Sequence, residues 1–117
     1  MVVKIEIELR RADLDMMLYC CANEDRVANH MISYDGKILK FFDEASDTWY
    51  HGDFNNQTIN KEAIKSIKVT DGRLIEALYI LKEKTPFQFQ NIINENDDAE
   101  THDCLAQAIA YKDVIFG

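Results

Sequence analysis

The sequence predicts an α+β domain: a small antiparallel sheet, built from an N-terminal strand and a β-meander, with about three helices packed on one face. Three observations carry that expectation. Residues 2–10 alternate Val3, Ile5, Ile7 and Leu9 with Lys4, Glu6, Glu8 and Arg10, the period of two that marks a half-buried strand. Asp35-Gly36 lies between two apolar runs, which is a hairpin signal because tight hairpin turns need positive φ. The second half of the chain instead spaces its apolar residues at helical intervals.

After the first strand, residues 12–23 predict a helix. Leu14, Met17, Leu18 and Cys21 follow the i, i+3, i+4, i+7 pattern, and Asp13 and Asp15 favour its start through the helix dipole. At Glu24 the helix either continues or turns. Met31, Ile32 and Tyr34 begin the meander, and residues 38–42 return from the Asp35-Gly36 turn. A polar loop over 43–47 leads to a third, aromatic strand of Thr48, Trp49, Tyr50 and His51, closed by Gly52-Asp53 and Asn55-Asn56.

Residues 59–69 read as a short helical turn, capped by Asn60, that runs into a strand. Residues 72–84 predict the firmest helix. Its stripe is Leu74, Ile75, Leu78 and Leu81 with Tyr79 beside it, Asp71 is the expected N-cap, and Pro86 lies just past the end. Phe87, Phe89, Ile92 and Ile93 predict a further short helix over 87–94. A polar break over 94–98 precedes a last helix over 99–115, with Leu105, Ala108 and Ile109 on one face. The apolar ending at 114–116 predicts a docked C-terminus.

With 117 residues, 47% of them hydrophobic, one proline and four glycines, the chain is expected to bury a core as a single domain over 1–117. No apolar run approaches the roughly 20 residues of a membrane span, and the alternating N-terminus is no signal peptide, so a cytoplasmic location is expected. Cys20, Cys21 and Cys104 are expected as thiols in or near the core, since an odd count with two adjacent members makes a poor disulfide framework. The net charge of −8, from 13 Lys and Arg against 21 Asp and Glu, repels nucleic-acid backbone and anionic membrane.

Catalytic signatures are missing. Ser33, Ser46 and Ser66 stand in no nucleophile elbow, and the scattered glycines make no phosphate loop or dinucleotide fingerprint. His102-Asp103 beside Asp97, Asp98 and Glu100 resembles a metal or proton-relay cluster. Adjacent helical residues point about 100° apart, however, and acids at a helix start serve the dipole. No metal and no cofactor is expected.

Charge distribution is the remaining signal. No Lys or Arg falls between Lys40 and Lys61, where Asp43, Glu44, Asp47 and Asp53 stand. None falls between Lys84 and Lys112, where Glu95, Asp97, Asp98, Glu100 and Asp103 stand. With Phe42, Trp49, Tyr50 and Phe54 interleaved, these carboxylates suit a non-enzymatic interaction protein, such as an inhibitor or regulator, that docks on a basic protein partner. Two other readings compete. One is a small ligand-binding domain or enzyme with a pocket near Trp49, Tyr50, His51 and Asp53. The other is a homo-oligomeric component joined through sheet edges and the apolar tail at 114–116.

Overall fold

A computed structural model describes residues 1–3, 6–24, 30–53 and 55–116. Helix α1 (Arg11–Tyr19) widens into a π-helical turn (Cys20–Glu24). Strands β1 (Met31–Tyr34) and β2 (Ile38–Phe42) follow, then two short strands, β3 (Tyr50–His51) and β4 (Thr58–Ile59). A 3-10 turn (Lys61–Ala63) leads into β5 (Ile64–Lys68), and helices α2 (Asp71–Lys84), α3 (Pro86–Ile93) and α4 (Ala99–Tyr111) complete the chain. The class is α+β, as expected. Two details of the sheet are not as expected.

First, the three-stranded sheet has the order β1-β2-β5, antiparallel throughout. Its third strand is β5, not the N-terminal segment. Residues 4 and 5 fall outside the described residues, and the rest of 2–10 forms no strand. Ile7 and Leu9 border a groove with Leu74 and Leu78; Leu9 packs against the helical core and Ile7 stays 49% exposed, with no sheet neighbour among the described residues. Second, the aromatic strand leaves the meander. β3 pairs only with β4, Tyr50 opposite Ile59 and His51 opposite Thr58, as a separate two-stranded arm.

The turn between β1 and β2 is held by Asp35, whose carboxylate accepts from the amides of Lys37 and Ile38 at 2.9 and 2.7 Å. Only Gly36 takes positive φ there, at 94°. A side chain at that position would press on the Tyr19 hydroxyl.

Alternation along β2 sorts the sheet's two faces. Leu39 and Phe41 are buried in the main core with Leu18, Leu81, Leu105 and Ile109 of the helices, and Ile67 packs against it. Ile38, Lys40, Ser66 and Lys68 lie exposed on the other face, as suits an antiparallel sheet with one wet side. Phe42 belongs to that outer face by phase, yet it is buried. Trp49 stacks on it with ring centroids 5.2 Å apart, and Tyr50 tilts over it at 5.3 Å.

The helices differ from expectation in small ways. α2 is capped by Thr70, whose hydroxyl accepts from the Arg73 amide at 3.1 Å, with Asp71 inside the first turn. Its buried stripe is Leu74, Ala77 and Leu81, while Ile75 and Tyr79 face solvent. α4 stops at Tyr111 because Lys112 turns left-handed, φ 56°. Arg11, unremarked in the sequence, ties α1 to the sheet and to α2. It donates to Asp15 at 3.0 Å, to Asp71 at 2.7 Å and to the Val69 carbonyl at 2.6 Å. Cys21 and Cys104 are buried, Cys20 is half-buried, and none of the three is in a disulfide. The radius of gyration is 15.1 Å, against about 13 Å for a compact chain of this length, so parts of the chain stand off the body.

Candidate functional site

The first acidic stretch forms the root and rim of the β3–β4 arm. Asp43 ends β2. Its carboxylate accepts from the Ala45 amide at 3.0 Å and pairs with Lys65 at 3.4 Å, and its carbonyl accepts from the Trp49 indole at 2.9 Å. Asp53 holds the tip of the arm by accepting from the amides of Asn55 and Asn56 at 3.0 and 3.1 Å. Gly52 precedes it at φ 91°, where a Cβ would meet the Asn56 carbonyl oxygen at 2.3 Å. Glu44 and Asp47 are exposed and form no ion pair among the described residues. Tyr50 and Ile59, directly opposite one another, leave 39% and 44% of their surface exposed. Phe54 lies outside the described residues.

The second stretch is largely engaged within the fold. Asp98 caps α4 in a capping box: its carboxylate accepts from the Thr101 amide at 3.0 Å, and the Thr101 hydroxyl accepts from the Asp98 amide at 3.2 Å. The Thr101 amide, and then the Thr101 hydroxyl within 3.0 Å of the same carboxylate, hold the Asp98 pKa below its ordinary value. Asp97 accepts from His102 Nε2 at 2.6 Å. Asp103 accepts from buried His30 at 2.8 Å and from Gln107 at 3.1 Å. Glu100 is exposed on the first turn of α4, and Glu95 is exposed with φ 58°.

The two stretches therefore meet only in part. Asp103 lies beside the root of the arm. His30 stacks on Phe116 at 4.6 Å, Phe116 meets Trp49 edge-on at 5.8 Å, and Tyr111 donates to the Phe42 carbonyl at 2.7 Å. Burial raises the Tyr111 hydroxyl pKa above its ordinary value, and the charges of Glu44, Asp103 and Asp43 raise it further. Residues 97–100 sit at the N-terminal end of α4, with Ala99 ~6 Å before Asp103 along the axis at 1.5 Å per residue.

Trp49, Tyr50, His51 and Asp53 line neither of the molecule's two main grooves. Trp49 packs inward on Phe42, and His51 faces solvent on a two-residue strand. Two open grooves lie elsewhere, of about 610 and 480 Å³, and both are lined by Glu8, Leu9 and Arg10. They flank the N-terminal segment where it crosses α1. His102 and Asp97 reach the larger groove. A carboxylate only accepts, so His102 Nε2 carries a proton in the bond to Asp97, and His102 Nδ1 is buried with no hydrogen-bond partner among the described residues. Among the described residues, no three His, Cys, Asp or Glu side chains gather as metal ligands, and no helix is long and apolar enough to cross a membrane. The His30–Asp103 and Gln107 contacts carried no local sequence signal, since they join positions up to 73 residues apart. Comparison with protein-family models, with curated proteins and with solved structures gives no match.

Proposed function

We propose that this chain is a non-enzymatic interaction protein of the cytosol that docks on a basic protein surface through the β3–β4 arm. One observation carries the reading. Exposed Tyr50 and Ile59 lie side by side, with the carboxylates of Glu44 and Asp47, which form no ion pair among the described residues, on the same short stretch and no Lys or Arg between Lys40 and Lys61. Aromatic and aliphatic side chains supply contact energy, and the carboxylates steer a cationic partner toward them. The stacking of Trp49 on Phe42 fixes the arm against the sheet, which lowers the entropy lost on binding.

The narrower surface follows from the internal work of the other acids. Asp97, Asp98 and Asp103 hold α4 and its neighbours, so they are support rather than contact. The test compares immobilised chain with a Glu44→Gln, Asp47→Asn, Tyr50→Ala variant. Each captures protein from the native cell, followed by a salt step. A basic protein released by salt from the first and bound at least about tenfold more weakly by the second is the expected result. Equal capture by both, or no salt-sensitive partner at low salt, would overturn the reading.

A further inference from the structure

We infer that the outer edge of β5 receives residues 6–9 of a second copy of this chain, extending the three-stranded sheet by one strand across an interface. The phase of the β2–β5 ladder shows which groups the edge presents. The Val69 amide donates to the Lys37 carbonyl at 2.7 Å, and the Asp43 amide donates to the Ala63 carbonyl at 2.8 Å. Hydrogen-bonded pairs therefore fall at 63, 65, 67 and 69, and Ile64, Ser66 and Lys68 turn their backbone groups outward. On that side the Ile64 amide donates to the Lys61 carbonyl and the Lys68 carbonyl accepts from the Thr70 amide at 3.2 Å, while among the described residues no hydrogen bond meets the backbone of Ser66, and Ser66 and Lys68 are exposed. An open edge of this kind is a template for another strand.

Residues 6–9 have the complementary shape. They keep strand alternation, Glu6 and Glu8 against Ile7 and Leu9, yet no hydrogen bond meets their backbone among the described residues. Leu9 packs against the core beside Leu14 and Leu74, and Ile7 stays 49% exposed. Laid antiparallel on the β5 of a second copy, the register Glu6–Lys68, Ile7–Ile67, Glu8–Ser66 and Leu9–Lys65 keeps every row in place. Ile7 and Leu9 continue the helix-covered face beside Ile67. Glu6 and Glu8 join the open face, whose strands carry Lys40 and Lys68 and no acid.

Charge also selects against the nearest alternative. Two N-terminal segments paired antiparallel about Ile7 would set Glu6 against Glu8, a like-charge pair. Pairing with the chain's own β5 would require Leu9 to leave the core it packs against.

Sedimentation of the full chain over a concentration series is the test. Assemblies of two or more copies are expected. Glu6→Lys with Glu8→Lys should weaken them roughly tenfold or more, and adding Lys40→Glu with Lys68→Glu should restore them. Ser66→Pro removes only an outward amide and should give a folded monomer by circular dichroism. The charge variants alter exposed side chains only, so they keep the test valid if the proline variant fails to fold. A wild-type monomer at the highest soluble concentration, or assembly unchanged by charge reversal, would overturn the inference.

Discussion

At the scale of single residues, Gln107 does most to join the end of the chain to its middle. It is fully buried, and every polar atom of its amide is used. Oε1 accepts from the amides of Ile115 and Phe116, each at 2.8 Å. Nε2 donates to the Phe116 carbonyl at 2.9 Å and to Asp103 at 3.1 Å. The side chain thus acts as one rung of backbone would, and it seats Phe116 against His30, Tyr111 and Trp49. Gln107→Leu keeps the volume and removes all four bonds. A typical internal hydrogen bond is worth about 1 kcal/mol net, and a released tail can rehydrate. We therefore expect a loss of about 2 kcal/mol in denaturant unfolding, with a red shift of Trp49 emission as Phe116 departs. Unchanged emission would mean that residues 114–116 hold without the clasp. The docked tail was legible from its apolar composition. The clasp was not, because a glutamine on a helix looks the same in sequence whether it faces water or a buried backbone.

At the scale of elements, the arm is the least self-sufficient part of the fold. Two strands of two residues each are marginal in isolation. This pair survives on Trp49 over Phe42, on the Asn60 amide donating to the Trp49 carbonyl at 2.8 Å, and on Asn60 Nδ2 donating to the Thr48 carbonyl at 2.7 Å. Gly52→Ala should therefore melt the arm and leave the sheet intact. Positive φ disfavours alanine, and the Asn56 carbonyl occupies the Cβ position. In hydrogen exchange, Asn60 should lose protection while the β2–β5 ladder keeps it; joint loss would show that arm and sheet unfold together. Other elements were readable to different depths. Asp35-Gly36 marked its hairpin because one residue there had to take positive φ. The turn-then-strand over 59–69 was visible in Asn60 and in the bunching of Ile64, Ile67 and Val69. The alternation over 2–10 misled for a physical reason: period two reports that one row meets apolar surface, not that the backbone has found a neighbour. Here Leu9 meets the helical core, while Val3 and Ile7 stay exposed. The acidic stretches were legible as charge, but which acids cap, bond histidine or stand free depends on tertiary contacts that no local pattern encodes.

At the scale of the whole molecule, burial of weak acids in their neutral form sets a response to alkali. The Cys104 thiol is pushed up to about 11, first by burial and then by the charges of Asp103, Glu100 and Asp98. Burial and the bond to Asp15 raise the Tyr34 hydroxyl to about 12. The Tyr111 hydroxyl is raised as well, by burial and by the acids at the root of the arm. All three shifts have one sign. Each group's folded pKa lies above its unfolded value, so its contribution is complete below the unfolded pKa and is lost as pH rises through the folded one. The unfolded chain gives up these protons first, from about pH 8.5 for the thiol and about 10 for the phenols. Stability should therefore fall steadily from about pH 9 toward pH 12, in the window between those unfolded values and the raised folded ones. The three groups come from α4, β1 and the end of α4, all packed on the main core, so their ionisation and global unfolding should coincide. Thermal melts at rising pH, read beside phenolate absorbance, check this directly. Two of the five tyrosines should ionise only as the far-ultraviolet signal collapses. Tyr34→Phe with Tyr111→Phe should flatten the fall of the melting temperature with pH, even though the loss of the hydroxyl bonds to Asp15, Arg11 and the Phe42 carbonyl lowers its starting value. A melting temperature independent of pH across that window, or ionisation of all five phenols in the folded state, would show that the core admits these charges.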